Sequence, residues 1–150
     1  MPVLLKKLHA KIHRASVTEA RIDYVGSITI DEDLMDAVGI LAGECVLVSD
    51  MTDGARFETY VMAGARGSGV ICINGAAARR VNEGDEVIIM AFAYIDAAKT
   101  ADLKPQIALA EKYNSYLAIE NHGGALLNSL DSFKAFVDVN TSDRLGIALA

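Results

Sequence analysis

Two stretches of the chain spell the same pattern: Ile40-Leu41-Ala42-Gly43-Glu44-Cys45-Val46-Leu47-Val48 and Val81-Asn82-Glu83-Gly84-Asp85-Glu86-Val87-Ile88-Ile89. In each, a helical turn leads through an apolar residue to Gly-acid-x-Val and then into an apolar strand. Internal self-similarity marks a repeated supersecondary unit, so the chain is expected to build a two-fold repeated β structure. The rest of the first two-thirds agrees. Short apolar runs at 27–30, 45–48, 57–62, 69–73 and 86–95 are separated by Gly, Asp and Asn, which suggests the strands of a small barrel. One helix is expected from Asp31, an acidic N-cap ahead of Leu34, Ala37 and Val38 at helical spacing, with Gly39 closing it. A second short turn is expected near Asn74.

Composition narrows the function. A chain of 150 residues, 52% of them hydrophobic, can bury one core. Its formal charge of −6 and its lack of any basic run beyond the pairs Lys6-Lys7 and Arg79-Arg80 argue against a nucleic-acid partner. Val3-Leu4-Leu5 is too short for a signal-peptide core, and no stretch approaches the ~20 apolar residues of a membrane span. A cytoplasmic protein without a membrane partner is expected. Cys45 and Cys72 stand alone in apolar runs, so both are expected as buried reduced thiols.

Strand parity groups the candidate residues. If residues 8–15 are extended, Leu8, Ala10 and Ile12 share one face while His9, Lys11 and His13 share the other, which is basic and titratable. A metal site on His9 and His13 would need a helix where the pattern alternates, so no metal is expected. In 56–62 the same parity sets Arg56, Glu58 and Tyr60 against Phe57, Thr59 and Val61. A guanidinium fork matches a carboxylate bidentately, and a sheltered tyrosine can donate a proton; the plain alternatives are a surface ion pair and packing. Asn74-Gly75-Ala76-Ala77-Ala78 carries no bulky side chain, which lets a ligand approach the backbone or simply makes a tight turn.

The remaining feature is Gly26-Ser27, set in Tyr24-Val25-Gly26-Ser27-Ile28-Thr29-Ile30. Such a pair is ordinarily a turn. It is also chemically special, because the serine hydroxyl lies close to the preceding carbonyl carbon and glycine removes the Cβ that resists a strained approach. Together with Lys11-Ile12-His13-Arg14, Arg56-Phe57-Glu58-Thr59-Tyr60 and Asn74-Gly75-Ala76-Ala77-Ala78, it resembles the pyruvoyl-dependent aspartate 1-decarboxylase family over roughly residues 1–118. That family cleaves its precursor at a Gly-Ser bond after a tyrosine.

The resemblance implies a double-psi β-barrel, mainly β with short helices and an extended C-terminal tail. It implies a covalent pyruvoyl cofactor made from Ser27, with neither metal nor pyridoxal phosphate, and L-aspartate as substrate, giving β-alanine and CO2. It also implies a homotetramer with sites between protomers. Gly26 would end the small chain, Tyr24 would lie beside the cut and Thr59 would polarise the Gly26 carbonyl. Lys11 and Arg56 would hold carboxylates with His13 nearby; Asn74, Gly75, Ala76 and Ala77 would wall the site, and Tyr60 would protonate the product carbanion. A tryptophan often found near Ser49 in the family is absent. The alternatives are a non-processing barrel that binds a small molecule or assembles, and a serine hydrolase, which lacks the second glycine of G-x-S-x-G.

After about residue 96 the pattern changes. Residues 1–96 are expected as the catalytic barrel and 97–150 as a C-terminal extension, packed on the barrel or on a neighbouring protomer. Leu126, Leu127, Leu130, Phe133 and Val137 have helical spacing within it.

Overall fold

The computed structural model describes residues 1–110 and the strand 117–119. The described strands are β1 (Leu4–Ser16), β2 (Glu19–Arg21), β3 (Ile28–Asp31), β4 (Cys45–Asp50), β5 (Arg56–Gly64), β6 (Ile71–Asn74), β7 (Glu86–Asp96), β8 (Gln106–Ala110) and β9 (Leu117–Ile119). They pair in the order β2-β6-β3-β5-β4-β7-β1-β8-β9. Because β2 is the continuation of β1 across Val17-Thr18, the run from β2 to β1 closes on itself. The result is the expected double-psi β-barrel, with β8 added in parallel to β1 and β9 antiparallel to β8.

The internal repeat is visible atom by atom. In the first copy Gly43 N–H donates to Val61 O at 2.7 Å, and Leu41 N–H donates to the Glu44 carboxylate at 3.0 Å. In the second, Gly84 N–H donates to Val17 O at 2.8 Å, and Asn82 N–H donates to the Asp85 carboxylate at 2.6 Å. Glu44 and Asp85 thus cap equivalent turns, and each turn feeds a strand, β4 or β7, that pairs antiparallel with the other. The helix α1 (Glu32–Val38) precedes the first copy. Asp31 caps it by accepting Asp33 N–H, and Gly39 ends it at φ 73°, a left-handed conformation that glycine adopts without strain. A 3-10 turn, Gly75–Arg80, holds the corresponding place before the second copy.

Inside the barrel Ile12, Ile28, Ile30, Ile71, Ile73 and Ile89 are fully buried with Val46, Val48 and Val61. Truncating one of these isoleucines to alanine would cost about 2–5 kcal/mol. The alternation expected for β1 holds at Ala10 and Ile12, which are buried between half-buried His9, Lys11 and His13. It then breaks. Register shifts against β7 fall between Leu8 and Ala10 and between Ile12 and Ala15, and Arg14 sits at φ 62°. The second bulge keeps Arg14 outside, paired with Glu86 at 3.0 Å, while Ala15 and Val17 stay buried. Among the described residues, no helix is long and apolar enough to cross a membrane. The helical spacing noted at residues 126–137 lies outside the described residues.

Candidate active site

The entry to β3 is a bent corner. Tyr24 and Val25 are exposed, yet Ser27 is only 1% exposed. Gly26 N–H donates to Tyr24 O at 2.8 Å, closing a tight turn, and Gly26 and Ser27 follow at φ 67° and 95°. Glycine adopts such values freely. Serine does not, and a left-handed backbone there costs about 1–3 kcal/mol, so neighbours must hold it.

Asn74, at the end of β6, does the holding, and it is 98% buried by its 2% exposure. Its backbone N–H donates to Ser27 O at 2.9 Å, and its Nδ2 donates to Ser27 Oγ and to Thr29 Oγ1, both at 3.1 Å. Its Oδ1 accepts the Cys72 thiol at 3.2 Å. Burial, aided by the Glu19 carboxylate, pushes the Cys72 thiol up and so keeps it a donor, which fixes the orientation of the amide. Gly75 completes the cradle. It sits at φ 67°, and a Cβ there would lie 2.6 Å from Gly26 N and 2.7 Å from Gly26 Cα. Ala76 is exposed and Ala77 packs on the core edge. A cleft of about 410 Å³, lined by Tyr24, Thr29, Cys72 and Asn74 among others, opens beside this network.

Tyr60 approaches from the neighbouring strand. β5 runs parallel to β3 with Val61 opposite Ile28, which brings Tyr60 level with the corner, and its hydroxyl donates to Val25 O at 3.0 Å. The parity expected for β5 is observed: Arg56, Glu58 and Tyr60 are exposed, while Phe57 and Thr59 are half-buried and Val61 is buried. Thr59 therefore faces inward, and among the described residues its hydroxyl makes no hydrogen bond to Gly26. Thr29 and Cys72 belong to the Ser27 network and were not singled out from sequence. Their link to Asn74 crosses three strands, and no local signal marks it. Cys45, expected to be buried, is exposed instead. As the first residue of β4 it lies opposite Tyr60 and shares that outward face.

Arg56, Lys11 and His13 form a second group on the outside of the sheet. Arg56 lies four residues along β5 from Tyr60, roughly 13 Å at strand rise. Register links Lys11 through Met90 and Leu47 to Glu58, so Lys11 is three strands away, roughly 14 Å. Counted along the sheet, both are set apart from the β3 entry that carries Ser27. Glu58 pairs with Lys6 at 3.7 Å, and among the described residues Arg56 and Lys11 make no ion pair. His9 is engaged by Glu44. Ser49 stands directly opposite Arg56 on β4 and opposite Ile88 on β7. Ile88 in turn faces the β1 bulge that carries His13 and Arg14.

Known proteins with similar sequences are consistent in kind. The family model described as aspartate decarboxylase matches residues 3–117. The aspartate 1-decarboxylase of Exiguobacterium sibiricum is 59% identical over 108 residues, 72% of this chain and 85% of that one. That of Pelotomaculum thermopropionicum is 50% identical over 126 residues, covering 82% and 96%. That of Porphyromonas gingivalis is 56% identical over 104 residues, covering 69% and 88%.

Proposed function

This chain belongs to the aspartate decarboxylase family and its activity is the decarboxylation of aspartate; from that premise we propose that it is made as an inactive precursor and activates itself at Gly26-Ser27. The observation that carries the proposal is the corner itself: a serine buried at φ 95°, with its hydroxyl and its carbonyl both held by Asn74. Strain raises the energy of the intact peptide, and the Asn74 amide fixes the hydroxyl that must attack the neighbouring bond.

Ser27 Oγ attacks the Gly26 carbonyl carbon, the C–N bond breaks, and the peptide becomes an ester with a free Ser27 amine. Loss of the Ser27 α-proton then expels the Gly26 carboxylate. The dehydroalanine that remains takes up water and releases ammonia, leaving a pyruvoyl group at the new N-terminus. Thr59 polarises the Gly26 carbonyl in this reading, which requires its hydroxyl to turn toward the corner, and Tyr24 lines the approach.

The residues present suit that group. Gly75 lets the Gly26 backbone approach closely, Asn74 and the 75–77 backbone wall the corner, and the Tyr60 hydroxyl stands against Val25 beside it. Such a group would supply a ketone for the substrate amine and, once joined to it, an electron sink for the pair left by the departing α-carboxylate. Arg56 and Lys11, with His13 nearby, hold substrate carboxylates, and Tyr60 delivers the proton to the α-carbon, giving β-alanine. The separation along the sheet between the basic face and Ser27 is compatible with a site completed by a second protomer, as in the homotetramer that the family resemblance implies, and we place the enzyme in the cytoplasm on that same resemblance.

Intact mass and product assay together test this reading. Two fragments divided between Gly26 and Ser27, with β-alanine formed from L-aspartate, are expected. One unbroken chain after long incubation would favour the barrel as a binding or assembly module.

A further inference from the structure

Ser49 is 7% exposed, and its hydroxyl has no hydrogen-bond partner among the described residues. A buried hydroxyl without a partner loses its hydration and gains nothing in return, so an orphan of this kind calls for an explanation. Its place in the sheet offers one. Directly paired residues project from the same face with their Cβ atoms about 4.5–5.5 Å apart, and the residue paired with Ser49 on β5 is Arg56. Arg56 is a cation without an ion-pair partner among the described residues, since Glu58 on the same face is taken by Lys6. A buried, unsatisfied donor and an exposed, uncompensated cation therefore stand side by side on paired strands. The group that satisfies both is an anion with more than one acceptor oxygen.

We propose that the Ser49 hydroxyl is a substrate contact, donating a hydrogen bond to the carboxylate that Arg56 grips. It thereby helps the enzyme select an amino acid with two carboxylates. This rests on the reading of Arg56 as a carboxylate holder. Arg56 is long and exposed, so its head group can move onto the ligand, whereas Ser49 is fixed by backbone pairing on both sides. The flexible cation captures the carboxylate and the rigid hydroxyl sets its position.

The test compares Ser49→Thr with Ser49→Val in the processed enzyme, because these side chains have the same shape and differ only in the hydroxyl. Both are expected to cleave normally. The KM for L-aspartate should be about three- to tenfold higher for Val than for Thr, with kcat within about twofold, the signature of a contact made equally in the ground and transition states. Equal KM values for the pair overturn the proposal. Arg56→Ala separates the two readings. A raised KM there with Thr and Val alike sinks only the role of Ser49, whereas normal turnover in Arg56→Ala removes the carboxylate-holding face altogether. Should the larger side chains prevent folding, Ser49→Ala against wild type decides. A raised KM without a lower Tm supports the contact, since removing an orphaned hydroxyl does not weaken the fold; an unchanged KM rejects it.

Discussion

Ser27 is held by one neighbour at both its side chain and its carbonyl, so its role in bond cleavage can be separated from its role in the backbone. Ser27→Ala removes the attacking oxygen and should leave a full-length, folded, inactive chain; cleavage persisting by mass spectrometry would contradict the mechanism. Ser27→Gly should be equally uncleaved but more stable than Ser27→Ala by about 1 kcal/mol. Relief of a left-handed backbone outweighs the added flexibility of glycine there. Equal Tm values for the two would mean the corner stores no strain. Tyr60 tests the other half of the reaction. Its hydroxyl bonds Val25 O, not the scissile Gly26 carbonyl, so Tyr60→Phe should still cleave itself while β-alanine production falls by roughly 10²–10⁴-fold. Normal turnover in that variant would leave protonation to another group. The parity of 56–62 was legible because it is a local pattern, whereas the roles proposed for Ser27 and Tyr60 come from the family resemblance. The Cys72–Asn74–Ser27 network was not legible, because it is made by strand pairing.

The junction of β6 with the 3-10 turn decides whether the corner can form. Gly75 is constrained twice, by its φ of 67° and by the Gly26 backbone that a Cβ would strike. Backbone atoms cannot rotate aside as a flexible side chain could. Gly75→Ala should therefore cost about 1–3 kcal/mol in stability and slow self-cleavage at least tenfold, read by thermal unfolding and a mass time course. Cleavage at the wild-type rate would show that the corner tolerates displacement. The sequence marked this junction as a short turn of small residues that a ligand could approach, and the turn is present, but not as a contact with the Gly26 backbone. Elsewhere, elements were readable where one local rule governed them, as in α1, with Asp31 and Gly39 at its ends. Pairing governed what was missed. The bulge that carries Arg14 has no signal in the sequence around it, and Cys45, expected to be buried, is exposed opposite Tyr60 on the neighbouring strand. Which strand lies beside which also sets the gap between Arg56 and Ser27, and no spacing along the chain encodes it.

Across the whole barrel the duplication has kept its backbone and divided its chemistry. Asp31 N–H donates to Val70 O at 2.8 Å just as Asn74 N–H donates to Ser27 O at 2.9 Å, and Gly69 and Gly26 precede the accepting residues at the same φ of 67°. In one half the end-of-strand side chain is a carboxylate, and Asp31 accepts Gly69 N–H at 2.7 Å; in the other it is the Asn74 amide, which donates to a nucleophile. The halves also meet in a pair of acids. Asp50, ending β4 at 3% exposure, accepts Thr52 N–H at 2.6 Å, and the Thr52 hydroxyl donates to Asp85 at 3.3 Å. Burial, opposed by the Thr52 N–H and reinforced by the Asp85 charge, pushes the Asp50 carboxyl above the ordinary aspartate value near 3.8. The Asn82 N–H holds Asp85 below it. A carboxyl raised in the folded state binds its proton more tightly folded than unfolded, so Asp50 favours the fold while protonated. That contribution is lost as pH rises from the ordinary value through the raised one. Asp85 acts in the opposite sense, stabilising the fold when ionised and ceasing to do so as pH falls through its lowered value. In the uncleaved Ser27→Ala background, Asp50→Asn keeps an acceptor for Thr52 and should melt higher than its parent at neutral pH. Its advantage should vanish below the ordinary aspartate value. Asp85→Asn should melt lower at neutral pH. An Asp50→Asn protein whose Tm shift is the same at every pH would show that ionisation of Asp50 is not what opposes the fold.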